Sequence, residues 1–244
     1  MKQRVRQLVT LIHRALRAHR HGVAFVGTSR TRLPESLRFG GQARAMRFPD
    51  DPLLVADFAN VVLDDDYGLR RITRALRTIV DIGANVGLFT SFARERFPAA
   101  EIHAYEPSPG TAAYARHNVA HPLTSVFEEG VAAVEGRAEM IEYGGSNIAR
   151  TEPKADGAIT LTGFATVLAR AGGHIDLLKV DCEGAEWDFM RDPALFATVD
   201  HIRMEYHLID GRTVDDVRQL ATDLGFRVTR LVANQGFGIV WMDR

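Results

Sequence analysis

The chain has 244 residues, 46% of them hydrophobic and 25% charged. That balance excludes a disordered or collagen-like polymer, and no apolar run approaches the roughly 20 residues that cross a bilayer. The net charge of −1 conceals a polarity: residues 1–47 carry a net +10, eleven Lys/Arg against Glu35, so the remainder carries −11. A lone cysteine, Cys182, excludes an intramolecular disulfide. With no Cys/His spacing for zinc either, a reducing cytoplasmic location is expected.

Residues 3–20 predict an amphipathic helix. Val5, Leu8, Val9, Ile12 and Leu16 recur at helical spacing among Arg4, Arg6, Arg14 and Arg17. Such a basic helix can lie on its own domain, pair with a second copy in a homodimer, or contact a membrane surface peripherally. Gln7, His13 and Arg14 interrupt the apolar character, so no secretory leader is expected. Residues 27–52, rich in Gly and Pro, predict a loop or short hairpin. The triplet Asp64-Asp65-Asp66 precedes a predicted helix over Tyr67–Arg77, where carboxylates cap free N–H groups. A calcium loop is not expected there, because alternating oxygen ligands do not follow. Residues 1–75 are read as an N-terminal extension that can serve as a substrate lid, its pocket-building residues carrying no motif, and 76–244 as the main domain.

From residue 78 strands and helices alternate. Strands are predicted at Thr78–Ile82, Glu101–Tyr105, Ser125–Glu128, Ile175–Val180 and His201–Tyr206, with helices at Val86–Arg96, Thr111–Asn118, Phe164–Arg170 and Val214–Leu224. Two extra strands, 138–143 and 158–162, flank the turn Gly144-Gly145-Ser146. The chain closes with a hairpin, Phe226–Val232 and Gly238–Met242, through Asn234-Gln235-Gly236. Alternation implies parallel strands with right-handed crossovers, a doubly wound α/β sheet. The hairpin requires an antiparallel last strand.

The stretch Asp81-Ile82-Gly83-Ala84-Asn85-Val86-Gly87 joins a strand to a helix. Gly83 permits a tight turn, Gly87 a close backbone approach, and the helix start presents free N–H groups. Glu106 ends the next strand, 19 residues beyond Gly87, about the offset at which an acid grips ribose hydroxyls. A carboxylate accepts both hydrogen bonds of a vicinal diol, and Pro107 then turns the chain away. Asp81 either takes a hydrogen bond from the ligand or holds the loop.

Together with Tyr105-Glu106-Pro107 and Leu178-Lys179-Val180-Asp181-Cys182-Glu183-Gly184-Ala185-Glu186, this stretch resembles the FkbM family of S-adenosylmethionine-dependent methyltransferases. Asn118, Val131-Ala132 and Glu205-x-His207 extend the resemblance over roughly residues 78–242. It implies a Rossmann-like class I methyltransferase sheet of seven strands, mostly parallel, in order 3-2-1-4-5-7-6. It also implies S-adenosylmethionine, with the methionine end over Gly83, Ala84, Asn85 and Gly87, the ribose on Glu106 beside Pro107, and the adenine near Gly130 and Val131. Asp81 and Asp181 complete the implied cofactor set. Cys182 departs from the pattern, which more usually has an aliphatic residue there; a small buried thiol fills the place.

The expected activity is O-methylation of a hydroxyl on a sugar, glycolipid or polyketide-like secondary metabolite. The alternatives are N-methylation of a small-molecule amine and a non-catalytic cofactor-binding scaffold. An alcohol acceptor must lose a proton, and His207, with its ordinary pKa of about 6.5, is the first candidate base, followed by Asp181. Glu205, two residues from His207, shares its face of the strand. Asp181, Glu183 and Glu205 offer hard oxygen ligands that Mg²⁺ accepts, but no metal is predicted. Lys179 is expected to project away from the site, and Tyr67 either roofs the cofactor or packs. Nucleic acid is not expected as a partner. The Asn/Asp-Pro-Pro-aromatic block is missing, and an acidic body repels phosphates.

Overall fold

The structure is a computed structural model that describes residues 2–23, 32–142 and 149–244. The turn at residues 144–146 lies outside them. Helix α1 (Lys2–Arg20) leads to a hairpin of β1 (Ser36–Phe39) and β2 (Gln42–Ala45) turning at Gly40-Gly41. A short helix, α2 (Leu54–Asp57), runs straight into a π-helical segment, Phe58–Asp64, which ends at Asp65 with φ 61°.

The helix predicted over Tyr67–Arg77 does not form. A single 3-10 turn, Leu69–Arg71, takes its place. Asp65 accepts the N–H groups of Leu69 and Arg70, so the acidic triplet does cap, but it caps one turn only. Asp176 then pulls the chain straight, accepting the N–H groups of Arg77 and Thr78 while Arg74 pairs with it at 3.3 Å.

The main unit follows as β3 (Thr78–Ile82), α3 (Leu88–Arg96), β4 (Glu101–Tyr105), α4 (Pro109–Asn118) and β5 (Thr124–Phe127). A second sheet comes next: β6 (Gly130–Ala132), β7 (Gly136–Glu142), β8 (Ala149–Pro153) and β9 (Ile159–Gly163), in order β6-β9-β7-β8. It has four strands where two were predicted. The chain continues with α5 (Phe164–Arg170), β10 (Ile175–Val180), α6 (Glu186–Phe189), α7 (Pro193–Phe196), β11 (Val199–His207), α8 (Val214–Asp223), β12 (Arg227–Ala233) and β13 (Phe237–Asp243).

The large sheet runs β12-β13-β11-β10-β3-β4-β5. Numbered by their own sequence order, its strands lie 3-2-1-4-5-7-6. Strand β13 is antiparallel to both neighbours, while β3, β4, β5, β10 and β11 pair in parallel. This is the Rossmann-like class I methyltransferase sheet. Every residue of β10 is buried, as a central parallel strand covered on both faces requires.

Two apolar clusters hold the layers. One gathers Ile79, Phe89, Phe92, Ile102 and Trp241 with Leu37, Phe39, Phe58, Leu63 and Leu69 from the N-terminal segment. The other gathers Val80, Tyr105, Leu178, Phe164, Phe196 and Tyr206. The segment before β3 therefore packs directly on the sheet. Among the described residues, no helix is long and apolar enough to cross a membrane.

Candidate active site

A cavity of about 500 Å³ opens at the carboxyl ends of β3, β4, β10 and β11. Open α/β sheets bind ligands where the strand order reverses, here between β3 and β10. At its floor the chain turns at Gly83, whose φ is +74°. The N–H groups of Gly83 and Ala84 both bond to the carbonyl of Tyr105, tying the β3 loop to β4. The Glu106 carboxylate lies beside this loop, accepting the N–H of Asn85 at 2.9 Å and of Ser108 at 3.0 Å. It is 8% exposed, and burial pushes its pKa up to about 7.

Of the residues expected to hold the cofactor, Gly83, Ala84, Asn85, Glu106, Pro107, Gly130, Val131 and Asp181 line this cavity. Asp81 and Gly87 do not. Asp81 is fully buried beneath the loop, where its Oδ2 accepts the Thr90 hydroxyl at 2.6 Å. Gly87 caps α3 with φ +84°, and a Cβ there would meet Val119 Cγ1 at 2.6 Å. Helix packing, not ligand approach, demands that glycine.

Lys179 is the main correction to the sequence reading. Its ammonium sits at the cavity floor, 3.3 Å from Asp81 Oδ1 and 3.4 Å from Asp181 Oδ2, and donates to the carbonyls of Ile82 and Gly83. Register explains this: Lys179 lies opposite Asp81 across β10 and β3, and it shares a face with Asp181 two residues on. Burial opposes its charge, but Asp181 and Asp81 outweigh burial and raise its pKa. Replacing Lys179 by methionine should strand the buried Asp81. About 3–5 kcal/mol of stability is expected to go, read as a Tm lower by roughly 10 °C in a thermal melt.

Tyr67 completes this corner. Its hydroxyl donates to Asp181 Oδ2 at 2.9 Å, its ring stands edge-on to Phe89, and it lines the cavity. Burial, with Asp181 and Glu205 nearby, holds its pKa well above the usual value, so the hydroxyl keeps its proton and stays a donor.

Beyond Asp181 lie Glu183 and Glu205, both lining the cavity. Burial first, and then the neighbouring Asp181, lift Glu183 to about 7 and Glu205 to about 8. His207 stands behind them and does not line the cavity. Its Nδ1 is 3.3 Å from Glu186, and its Nε2 is 3.3 Å from Glu183 and 3.8 Å from Glu205. Burial disfavours the imidazolium, but Glu186 and Glu183 overcome it and raise His207 to about 9. The expected first base thus lies behind the cavity wall, packed against carboxylates, and not on the lining itself.

Cys182 touches Glu186 at 3.6 Å, and its thiol pKa is raised well above the usual value by burial, consistent with an inert filler. Among the described residues, the group whose ligand atoms lie close enough together to share a metal ion is His174, Asp176 and Asp200, not Asp181, Glu183 and Glu205. Arg74 already neutralises that group, pairing with Asp176 at 3.3 Å and Asp200 at 2.6 Å.

The opposite wall comes from the segment before β3. Pro49, Asp50, Pro52, Asn60, Val61 and Asp66 face the sheet across the cavity, joined by Met140 of β7. These residues belong to no motif; only the fold brings them there.

The cradle fits S-adenosylmethionine. Glu106 has a lone pair free on each oxygen for a ribose diol, Asn85 Oδ1 is buried without a partner among the described residues, and the volume suits a ligand of that size. Fold and cradle together define a methyltransferase that uses this donor. Residues 81–228 match the methyltransferase FkbM domain, and the chain belongs to that family. Methyltransferase sdnD of Sordaria araneosa is 27% identical over 193 residues, covering 62% of this chain and 74% of its own. Among solved structures, the precorrin-6y C5,15-methyltransferase of Geobacter metallireducens is similar at 14% identity, covering 73% of this chain and 85% of its own, with a TM-score of 0.47. A TehB-like methyltransferase of Corynebacterium glutamicum is similar at 10% identity, covering 78% of this chain and 96% of its own, with a TM-score of 0.45.

Proposed function

We propose that the protein methylates a hydroxyl group of a small molecule rich in hydroxyls, a sugar, glycolipid or polyketide-like metabolite, with Glu205 as the general base. When bound, S-adenosylmethionine supplies a sulfonium-activated methyl group. The chain's own residues align and deprotonate the acceptor. Asp181 is held in place by Tyr67, whose hydroxyl it accepts, and by the Lys179 ammonium, and it anchors this corner of the site. Glu205 lines the cavity with His207 Nε2 3.8 Å away, and burial with Asp181 nearby raises its pKa to about 8. A base with a pKa near the working pH is what removal of an alcohol proton needs. The imidazolium of His207 stands behind Glu205 and Glu183 as a positioning charge.

One observation carries this reading: the partly buried carboxylates of Glu183 and Glu205 converge with Asp181 on the cavity wall. Asp66, Asp181, Glu183 and Glu205 also present acceptor atoms to the cavity, which suits a polyol that donates hydrogen bonds. Incubation with S-adenosylmethionine and a panel of sugar, glycolipid and phenolic alcohols should yield methyl ethers by mass spectrometry, at a rate unchanged by EDTA. Products methylated only on nitrogen would overturn the reading.

A further inference from the structure

We propose that α1 is a membrane-surface helix that seats the protein on the headgroup layer of an anionic bilayer. The helix is attached to the body by its polar edge. Arg14 Nε donates to Asp64 at 2.9 Å, Arg17 bonds to the Leu63 carbonyl, and the inward residue is the small, fully buried Ala18. The apolar stripe is left outside: Leu11 is 46% exposed, Ile12 50% and Leu16 60%. A helix whose task is to cover the core turns its apolar face inward; here that face is turned outward.

Charge selects the occupant. The helix carries six Lys/Arg and no acid, with His13, His19 and Arg20 exposed beside the stripe. A second copy pairing through the same face would set like charges against each other, as two-fold symmetry requires. Lipid phosphates attract them. The same surface repels the body, which carries −11 outside residues 1–47, so the basic end meets the bilayer first. Helix α1 packs on the segment Phe58–Asp64, and Asn60 and Val61 of that segment line the cavity. Docking thus holds the cavity beside the headgroups. Delivery of a lipid-borne hydroxyl to it rests on the proposed O-methylation; the docking does not.

The test is flotation of the full chain with phosphatidylcholine vesicles and with mixed phosphatidylcholine–phosphatidylglycerol vesicles. Binding is expected to be at least about tenfold tighter on the anionic vesicles and to weaken with salt. The double variant Ile12→Glu, Leu16→Glu should lose about tenfold or more of that affinity, with an unchanged thermal transition and an unchanged rate on a water-soluble acceptor. Equal affinity for the two vesicles would overturn the proposal. So would full retention by the double variant, or a dimer in light scattering that the double variant dissociates. If vesicles bind as expected while no methyl ether ever forms, the O-methylation reading fails and the docking stands.

Discussion

Gly83→Ala should yield a protein that no longer retains S-adenosylhomocysteine in calorimetry, with affinity lowered by at least about 100-fold, on the order of 3 kcal/mol. The backbone at Gly83 has φ +74°, a region that L side chains rarely occupy. A Cβ built there would stand 1.7 Å from the carbonyl oxygen of Asp181. That atom is backbone, so no side chain can swing aside. The tips of β3 and β10 must separate, and with them Asp181, the Lys179 contacts and the loop that positions Asn85 against Glu106. The melting temperature should fall as well, and affinity at a temperature well below the new transition separates the two effects. Gly110→Ala is the control. Gly110 lies in the first turn of α4 with nothing within 4 Å of its added Cβ, and it should be neutral or stabilising by about 0.5 kcal/mol. Normal affinity in Gly83→Ala would show that the cofactor does not sit over this turn.

Glu205→Gln should lower kcat by about 10²–10⁴-fold while leaving the affinity for S-adenosylhomocysteine within about threefold. The amide keeps the shape and loses the basicity. The pH dependence carries the sign. Burial and Asp181 raise Glu205 to about 8, so its basic form grows as pH rises. The wild-type rate should climb from pH 6 and level off above that value. The apparent pKa belongs to the group Glu205, Glu183 and His207 together, because both carboxylates lie within 4 Å of the His207 imidazole. Glu205→Gln should flatten the climb. His207→Gln should move it to higher pH, since the imidazolium favours the Glu205 carboxylate and its removal lifts that pKa further. A wild-type-like profile in Glu205→Gln would assign the proton to another acceptor.

Much of the fold was legible because period and punctuation agreed. Thr78–Ile82, Glu101–Tyr105 and Ile175–Val180 are short apolar runs bounded by turn residues, and each is a strand with the predicted ends. The position of Glu106 beside the glycine turn was readable because it depends on a local offset along the chain. What failed was non-local. Lys179 was placed on the wrong side, although its two-residue spacing from Asp181 on one strand already put both on one face. Nothing in the sequence pairs it with Asp81, 98 positions earlier. His207 was chosen on its free-solution pKa, and no local signal announces that Glu186 and Glu183 gather on its ring and raise it. The helix drawn over Tyr67–Arg77 lost to capping and ion-pair partners around 100 residues distant. The strand β8 and the π-helical segment had no sequence mark at all.

Labour in this molecule is divided along the chain. The turns that close the parallel strands line one side of the cavity, whereas the facing wall is drawn from residues 49–67, ahead of β3. Exchange of that stretch between paralogues therefore offers a route to retarget the enzyme to a new acceptor without rebuilding its methyl-donor machinery.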